Sequence, residues 1–225
     1  MARLEFLLPG GERISPLVRT LLLGSFTGRS QADVSRHVEE MELLGVTVPS
    51  RLPIFYPAMS CLLTQEAQVE AVGSDSRPEV EFVLFAHRGQ WFVTVGNDQF
   101  DLDLEKRSLV SKSKNLCQKL VAGMAWPLDE VSGHWDALTL SLSSNDRLLQ
   151  HGRLEQLLQP AVLLDSVKQD FGKREIDMLF SGTIPFLPDV QIDSGDLRIA
   201  LHDPVLSREL SARFAIKELS AIGTA

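Results

Sequence analysis

Cysteine is nearly missing from this chain, with 2 among 225 residues, Cys61 and Cys117. Their spacing is not that of a thiolate zinc centre, and they are too few for a disulfide framework, so both are argued against and a reducing compartment is the default expectation. Basic charge is also in short supply. With 22 Lys and Arg against 30 Asp and Glu the net charge is -8, which argues against nucleic acid or an anionic membrane surface as partner. No apolar run approaches the roughly 20 residues that span a bilayer, and the opening MARLEFLLPGG has no basic segment leading into a long apolar stretch. The expectation is a soluble, cytoplasmic protein with no membrane and no nucleic-acid partner. A Gly-rich phosphate loop, a nucleophile elbow and a His-Glu-x-x-His helix are missing too. That leaves metal-assisted chemistry as the leading enzymatic class.

What is present reads as one globular domain, 44% hydrophobic and long enough to bury its own core. Residues 3–8 and 14–26 flank Pro9-Gly10-Gly11 and predict an N-terminal strand pair. Val34, Val38 and Met41 recur at helical spacing behind Ser30, with Gly45 as a stop, and predict a helix over 31–44. Pro49, Pro53 and Pro57 predict an irregular connection from Val48 to Met59. A strand over 65–73 and a turn at Asp75-Ser76 lead into two apolar runs joined by His87-Arg88-Gly89-Gln90. After Glu105 comes a Lys-rich loop or short helix, the one dense basic cluster. Further strands are predicted over 134–143, 176–183, 197–203 and 211–219, with turns at 144–146 and 194–196 and a helix over 160–172. Short strands outnumber helices and do not alternate with them regularly, so the fold class is α+β, mainly β.

Glu79 and Glu81 are one residue apart and share a face of an extended strand. If the two runs pair as a hairpin, Asp98 returns beside them, and three hard oxygen ligands converge on a site for Mg2+, Mn2+ or Ca2+. Spacing alone leaves the commoner arrangement open, a half-buried strand with its acids in water. His37 and Glu40, three apart on the first helix, suit a general base whose tautomer is held by a carboxylate. A surface Arg36–Glu40 pair beside a solvated His37 accounts for the same spacing. Lys112 and Lys114 are placed to meet an anion, or to lie in water. Gly182-Thr183 offers N–H groups and a hydroxyl to a carboxylate, or is an ordinary turn. His202 reads as a strand residue, and Trp91, Trp126 and Trp135 as core or interface.

In chain order these pieces resemble the fumarylacetoacetate hydrolase superfamily, and in particular a short bacterial branch of it. His37-Val38-Glu39-Glu40 looks like its water-activating His-x-x-Glu helix, and Glu79-Val80-Glu81 like its Glu-x-Glu metal pair. Gly96-Asn97-Asp98 with Asp103-Leu104 resembles the segment carrying its third metal carboxylate, and Ser181-Gly182-Thr183-Ile184-Pro185 with Ser194-Gly195-Asp196 its Thr-Gly-Thr-Pro and Pro-Gly-Asp pair. Leu102 stands where the superfamily has Arg, Ile184 intrudes between Thr and Pro, and the Glu81-to-Asp98 interval is short. The resemblance implies a mixed β-roll with peripheral helices in a single domain over 1–225, with a strand pair over 1–27, a catalytic core over 28–214 and a tail over 215–225. It also implies a homodimer and a divalent cation, Mg2+ first, on Glu79, Glu81 and Asp98. The activity it implies is hydrolysis of a C–C bond in a small 2,4-dioxo or related 2-oxo acid. In that scheme His37 and Glu40 activate water, Lys114 assists catalysis, and Thr183, Gly182 and Lys112 hold the carboxylate substrate. The register admits either lysine beside the metal. Decarboxylation or tautomerisation on the same site, or a non-catalytic carboxylate-binding β-roll, are the alternatives.

Overall fold

The computed structural model describes residues 1–43, 51–73, 75–190 and 195–219. In chain order its main elements are β1 (Leu21–Ser25), α1 (Gln31–Leu43), β2 (Ile54–Ala58), β3 (Gln68–Val72), β4 (Val80–His87), β5 (Gln90–Asp98), α2 (Leu102–Lys106), α3 (Val110–Asn115) and β6 (Lys119–Val121). They continue with β7 (Thr139–Ser144), β8 (Arg147–Arg153), α4 (Pro160–Phe171), β9 (Met178–Phe180), β10 (Leu197–Asp203) and β11 (Arg208–Leu219). The larger sheet runs β2-β1-β9-β4-β5-β6 and then Leu63–Thr64, with Trp126–Pro127 also on β5; the smaller runs β8-β7-β10-β11-β3.

The β4–β5 hairpin is the centre of the larger sheet. Its turn is two residues, Arg88 and Gly89, both at positive φ (50 and 81), the primed geometry whose twist matches paired strands. Near-continuous apolar sequence in β4 reflects burial on both faces. Phe82, Leu84, Val93 and Val95 join the core between the sheets with Leu140, Leu142, Ile199 and Leu201. Val83, Phe85 and Phe92 join a second core with Phe6, Leu21, Leu23, Met178 and Phe180. Phe6–Leu7 and Arg13–Ile14 pair around the Pro9-Gly10-Gly11 turn and contribute to this second core.

Several boundaries differ from the sequence reading. Within the stretch expected to be irregular, β2 pairs antiparallel with β1; Pro57 is tolerated because, among the described residues, β2 is the edge strand of its sheet. The strand expected from His134 starts at Thr139, because Trp135–Ala137 is a 3-10 turn that drives Trp135 into the core against Phe82, ring centroids 4.9 Å apart. The Lys-rich segment is α2, α3 and then β6. The strand expected over 211–219 begins earlier, at Arg208, and runs to Leu219 as expected, pairing in parallel with β3. Ser76, expected in a turn with Asp75, is instead in a short strand, Ser76–Arg77, that pairs with Phe100–Asp101. The 176–183 strand is cut to β9, and Gly182 then turns the chain at φ 88. Gly45, Ser194 and residues 220–225 lie outside the described residues. Asn145 and Asp146 form the expected turn at positive φ, and α4 ends on Gly172. Trp126 and Trp135 are core residues, and His202 is an exposed residue of β10. Among the described residues no helix is long and apolar enough to cross a membrane.

Candidate metal centre

The hairpin register brings the acids together. Val80 lies opposite Asn97 and Glu81 opposite Gly96, while the Asp98 N–H donates to the Glu79 carbonyl at 2.9 Å. Residues facing each other across an antiparallel pair share a face, so Glu79, Glu81 and Asp98 fall on one side. One oxygen from each carboxylate lies within 4.8 Å of the others. Only Glu79 has appreciable exposure, with 19% of its side chain accessible. Gly96 makes the approach possible: a Cβ there would stand 2.7 Å from the Phe180 ring and from the Val83 side chain. Asn97, buried beside the acids, accepts the Glu79 N–H at 2.9 Å and donates to Gln99, which in turn donates to Ser76.

Two ammonium groups enter the same pocket of charge. Lys114, from the last turn of α3, lies 2.5 Å from Asp98 Oδ2 and 3.6 Å from Glu79 Oε2. Ser113 anchors that helix by donating to the Asp101 carbonyl at 2.7 Å. Lys119, paired opposite Asp98 in β6, lies 2.7 Å from Asp98 Oδ1 and donates to the Gln99 carbonyl. Burial pushes the Glu79 carboxyl up to about 7, against the pull of Lys114. Burial and then the Asp98 charge push Glu81 well above the ordinary carboxylate range. Asp98 goes the other way, because Lys114 and Lys119 together outweigh its burial. Lys114 is held protonated by Asp98, Glu79 and Glu81 despite its burial. Burial also raises Glu105 and Tyr56, both of which feel the Lys114 charge.

The donor set fits a hard divalent cation. All three groups are carboxylates, and ligands on opposite sides of such an ion stand about 4–5 Å apart, close to the separation found here. Glu81 Oε2 accepts the Gly182 N–H at 2.7 Å, but Glu81 Oε1 is buried without a hydrogen-bond partner among the described residues. Asp98 Oδ1 is paired with the Lys119 ammonium at 2.7 Å. A buried carboxylate oxygen left as Glu81 Oε1 is left is costly, and a cation would satisfy it.

The raised Glu79 pKa has a measurable consequence. A folded-state value of about 7, against an ordinary 4.5, stabilises the metal-free protein below pH 4.5, and that contribution is lost as pH rises through 7. The loss approaches about 3 kcal/mol. Asp98 acts oppositely, in the acid range below its ordinary pKa, so the two windows do not overlap. Thermal melts in a chelator should show a falling midpoint from pH 5 to pH 8, with Mg2+ reversing much of the fall at pH 8. A flat or rising profile would contradict the burial argument.

Of the residues singled out in the sequence, Glu79, Glu81, Asp98 and Lys114 are gathered here. Lys112 is exposed, since two residues along a helix amount to about 200° of rotation. Gly182 and Thr183 reach the site, but their donors are already committed: the Gly182 N–H to Glu81, and the Thr183 hydroxyl to the Val80 carbonyl at 2.8 Å. His37 and Glu40 fall on α1, three residues apart; their side chains lie outside the described residues. Sequence reasoning did not find Lys119, Glu105, Tyr56 or Gln150, and it met Asn97 only as part of the Gly96-Asn97-Asp98 segment. Lys119 alone carried a signal, as a cation opening the apolar run Leu120-Val121-Ala122.

The fold recurs in solved structures. Fumarylpyruvate hydrolase from Pseudomonas aeruginosa, in complex with Mn2+ and pyruvate, superposes with a TM-score of 0.67 at 18% identity, over 96% of this chain and 97% of that one. A 2-hydroxyhepta-2,4-diene-1,7-dioate isomerase from Mycobacterium marinum gives 0.60 at 13% identity, over 90% and 75%. A 2-keto-3-deoxy-D-arabinonate dehydratase complexed with magnesium and 2,5-dioxopentanoate gives 0.62 at 12% identity, over 94% and 84%. A search of curated proteins found no match. The family described as a protein of unknown function, DUF2848, matches residues 24–214. The chain therefore belongs to the DUF2848 family, built on the mainly β, α+β fold of the fumarylacetoacetate hydrolase superfamily.

Proposed function

We propose that this chain is a divalent-metal enzyme that hydrolyses a C–C bond in a small 2,4-dioxo or related 2-oxo acid. The observation that carries the reading is the convergence of Glu79, Glu81 and Asp98 from one hairpin, with Glu81 Oε1 buried and unpartnered. The pyruvate and dioxopentanoate held by structures of the same fold support a 2-oxo acid as the substrate class. A homodimer in the cytoplasm belongs to the same proposal.

Glu79, Glu81 and Asp98 hold the cation, Mg2+ or Mn2+, with Lys114 and Lys119 offsetting part of their charge. A divalent ion there supplies Lewis-acid polarisation of the substrate carbonyls and stabilises developing negative charge. His37, held in one tautomer by Glu40, takes a proton from water as the water oxygen bonds to the carbonyl carbon. The C–C bond then breaks, its electron pair leaves with the pyruvate carbon, and His37 returns the proton to that product. Lys114 keeps an ammonium beside the acids, where it favours an anionic product before protonation. Gly182 and Thr183 act through Glu81 and Val80, and Lys112 meets the substrate only from solvent.

Metal content of the purified protein, followed by a spectrophotometric screen of acylpyruvates and oxaloacetate with Mg2+ or Mn2+, tests the reading. His37→Ala should lose turnover by about 100-fold or more while still taking up metal; surviving activity removes His37 as the base. The three solved structures are a hydrolase, an isomerase and a dehydratase. Chemistry other than hydrolysis on this fold, the isomerase above all, favours tautomerisation at the same site as the second reading, with decarboxylation beside it, and oxaloacetate turnover without acylpyruvate cleavage would select it. Metal without turnover of any 2-oxo acid would select a non-catalytic binder.

A further inference from the structure

We infer that Gln150 is a positioning residue for the Glu79–Glu81 pair, acting from the second sheet on the residue between them. The inference rests on the metal centre proposed above. Gln150 lies in β8 and is fully buried. Its Oε1 accepts the Val80 N–H at 3.0 Å, and its Nε2 donates to Thr183 Oγ1 at 2.9 Å and to the Ile184 carbonyl at 2.5 Å. The Thr183 hydroxyl then donates to the Val80 carbonyl at 2.8 Å. Both backbone polar groups of Val80 are thus held by side chains that arrive from distant parts of the chain.

The clamp exists because a neighbouring strand runs out. β9 pairs with β4 at Val83, Leu84 and Phe85, and the Ser181 N–H still reaches the Phe82 carbonyl at 3.1 Å. Gly182 then turns the chain away at φ 88, leaving Val80 with an N–H and a C=O on an unpaired edge. Burying them unpaired is costly, and Gln150 and Thr183 take the place of the missing strand. The Val80 N–H belongs to the peptide group shared with Glu79, and its C=O to the group shared with Glu81. Fixing both peptide planes fixes the direction in which the two carboxylates leave the backbone.

The amide orientation is unambiguous. Val80 N–H only donates and the Ile184 carbonyl only accepts, so the oxygen and nitrogen of Gln150 cannot exchange places. The same turn supplies the Gly182 N–H that holds Glu81 Oε2. Gln150 therefore ties the Glu-Val-Glu backbone to the turn that orients one of its carboxylates.

The test is Mn2+ titration followed by electron paramagnetic resonance of the free ion, well below the melting midpoint, on Gln150→Met, Thr183→Val and the control Thr94→Val. The control removes another buried hydrogen bond, from Thr94 Oγ1 to the Met124 carbonyl at 2.7 Å, on the strand paired with β4 but away from the acids. Outer hydrogen-bond partners of metal ligands are worth about 10–100-fold in affinity. Gln150→Met is expected to weaken Mn2+ binding by about tenfold or more, Thr183→Val in the same direction, and Thr94→Val to bind as wild type despite its lower melting midpoint. Unchanged affinity in Gln150→Met overturns the inference while leaving the metal centre standing, and equal weakening by Thr94→Val overturns it as general loosening. A wild-type protein that takes up no Mn2+ overturns the metal centre itself. If Gln150→Met does not fold, Thr183→Val decides.

Discussion

The double variant Glu79→Gln/Glu81→Gln is expected to lose stoichiometric Mg2+ or Mn2+ uptake and, with it, all metal-dependent turnover. Two of three anionic donors are replaced by neutral amides that bind a hard cation poorly, so affinity should fall by at least about 100-fold, since even outer-shell changes reach that size. Stability moves the other way. Glu79 and Glu81 both have pKa values raised first by burial, which means their ionised forms oppose folding of the metal-free chain. At pH 8 in a chelator the variant should therefore melt at or above the wild-type midpoint. Calorimetric titration and a thermal melt on one preparation separate the two effects. Unchanged metal uptake would remove these acids as ligands, and a collapsed midpoint would show that their role is structural.

Asp98→Asn is expected to unfold the protein more readily, for a reason distinct from metal binding. Asp98 is fully buried between two buried ammonium groups, Lys114 on one oxygen and Lys119 on the other. Among the described residues, removing the charge leaves Lys119 with no carboxylate in ion-pair contact and Lys114 with Glu79 at 3.6 Å and the more distant charge of Glu81. Stranding one partner of a buried pair costs about 3–5 kcal/mol, or about 10 °C in melting midpoint for a chain of this size. Adding Lys119→Met should recover much of the loss, because the stranded cation goes with it. A single variant as stable as wild type, or a double variant less stable than the single one, would mean that the charges are solvated in a way the geometry does not suggest.

The reach of sequence reasoning followed the range of the interactions. The Glu79–Glu81 spacing and a turn at His87-Arg88-Gly89-Gln90 between two apolar runs are local signals, and they put Glu79, Glu81 and Asp98 on one face once the runs pair as a hairpin. α4 behaved the same way, with Pro160 at its first turn and Gly172 at its end. Boundaries failed where a distant partner decided them. Residues 54–58 became strand because β1 offered an edge. Trp135 left the expected strand for a place in the core.

The site divides along the same line. Residues one or two positions apart on a strand point where the backbone's period sends them, so the Glu-Val-Glu pair and its hairpin partner were legible in 225 letters. Whether that face was wet or dry was not, because burial there is decided by segments distant in the chain, among them α3, which carries Lys114 onto the acids. The choice between Lys112 and Lys114 awaited the rotation of α3. Lys119 reaches Asp98 across 21 residues of chain and Gln150 reaches Val80 across 70, and no local pattern says which residue either one meets. Periodicity determined which side chains share a face; only the tertiary structure decided that Lys114 of α3 and Lys119 of β6 meet the three acids there, while Gln150 holds Val80 from the opposite face, because those contacts join segments far apart in the chain.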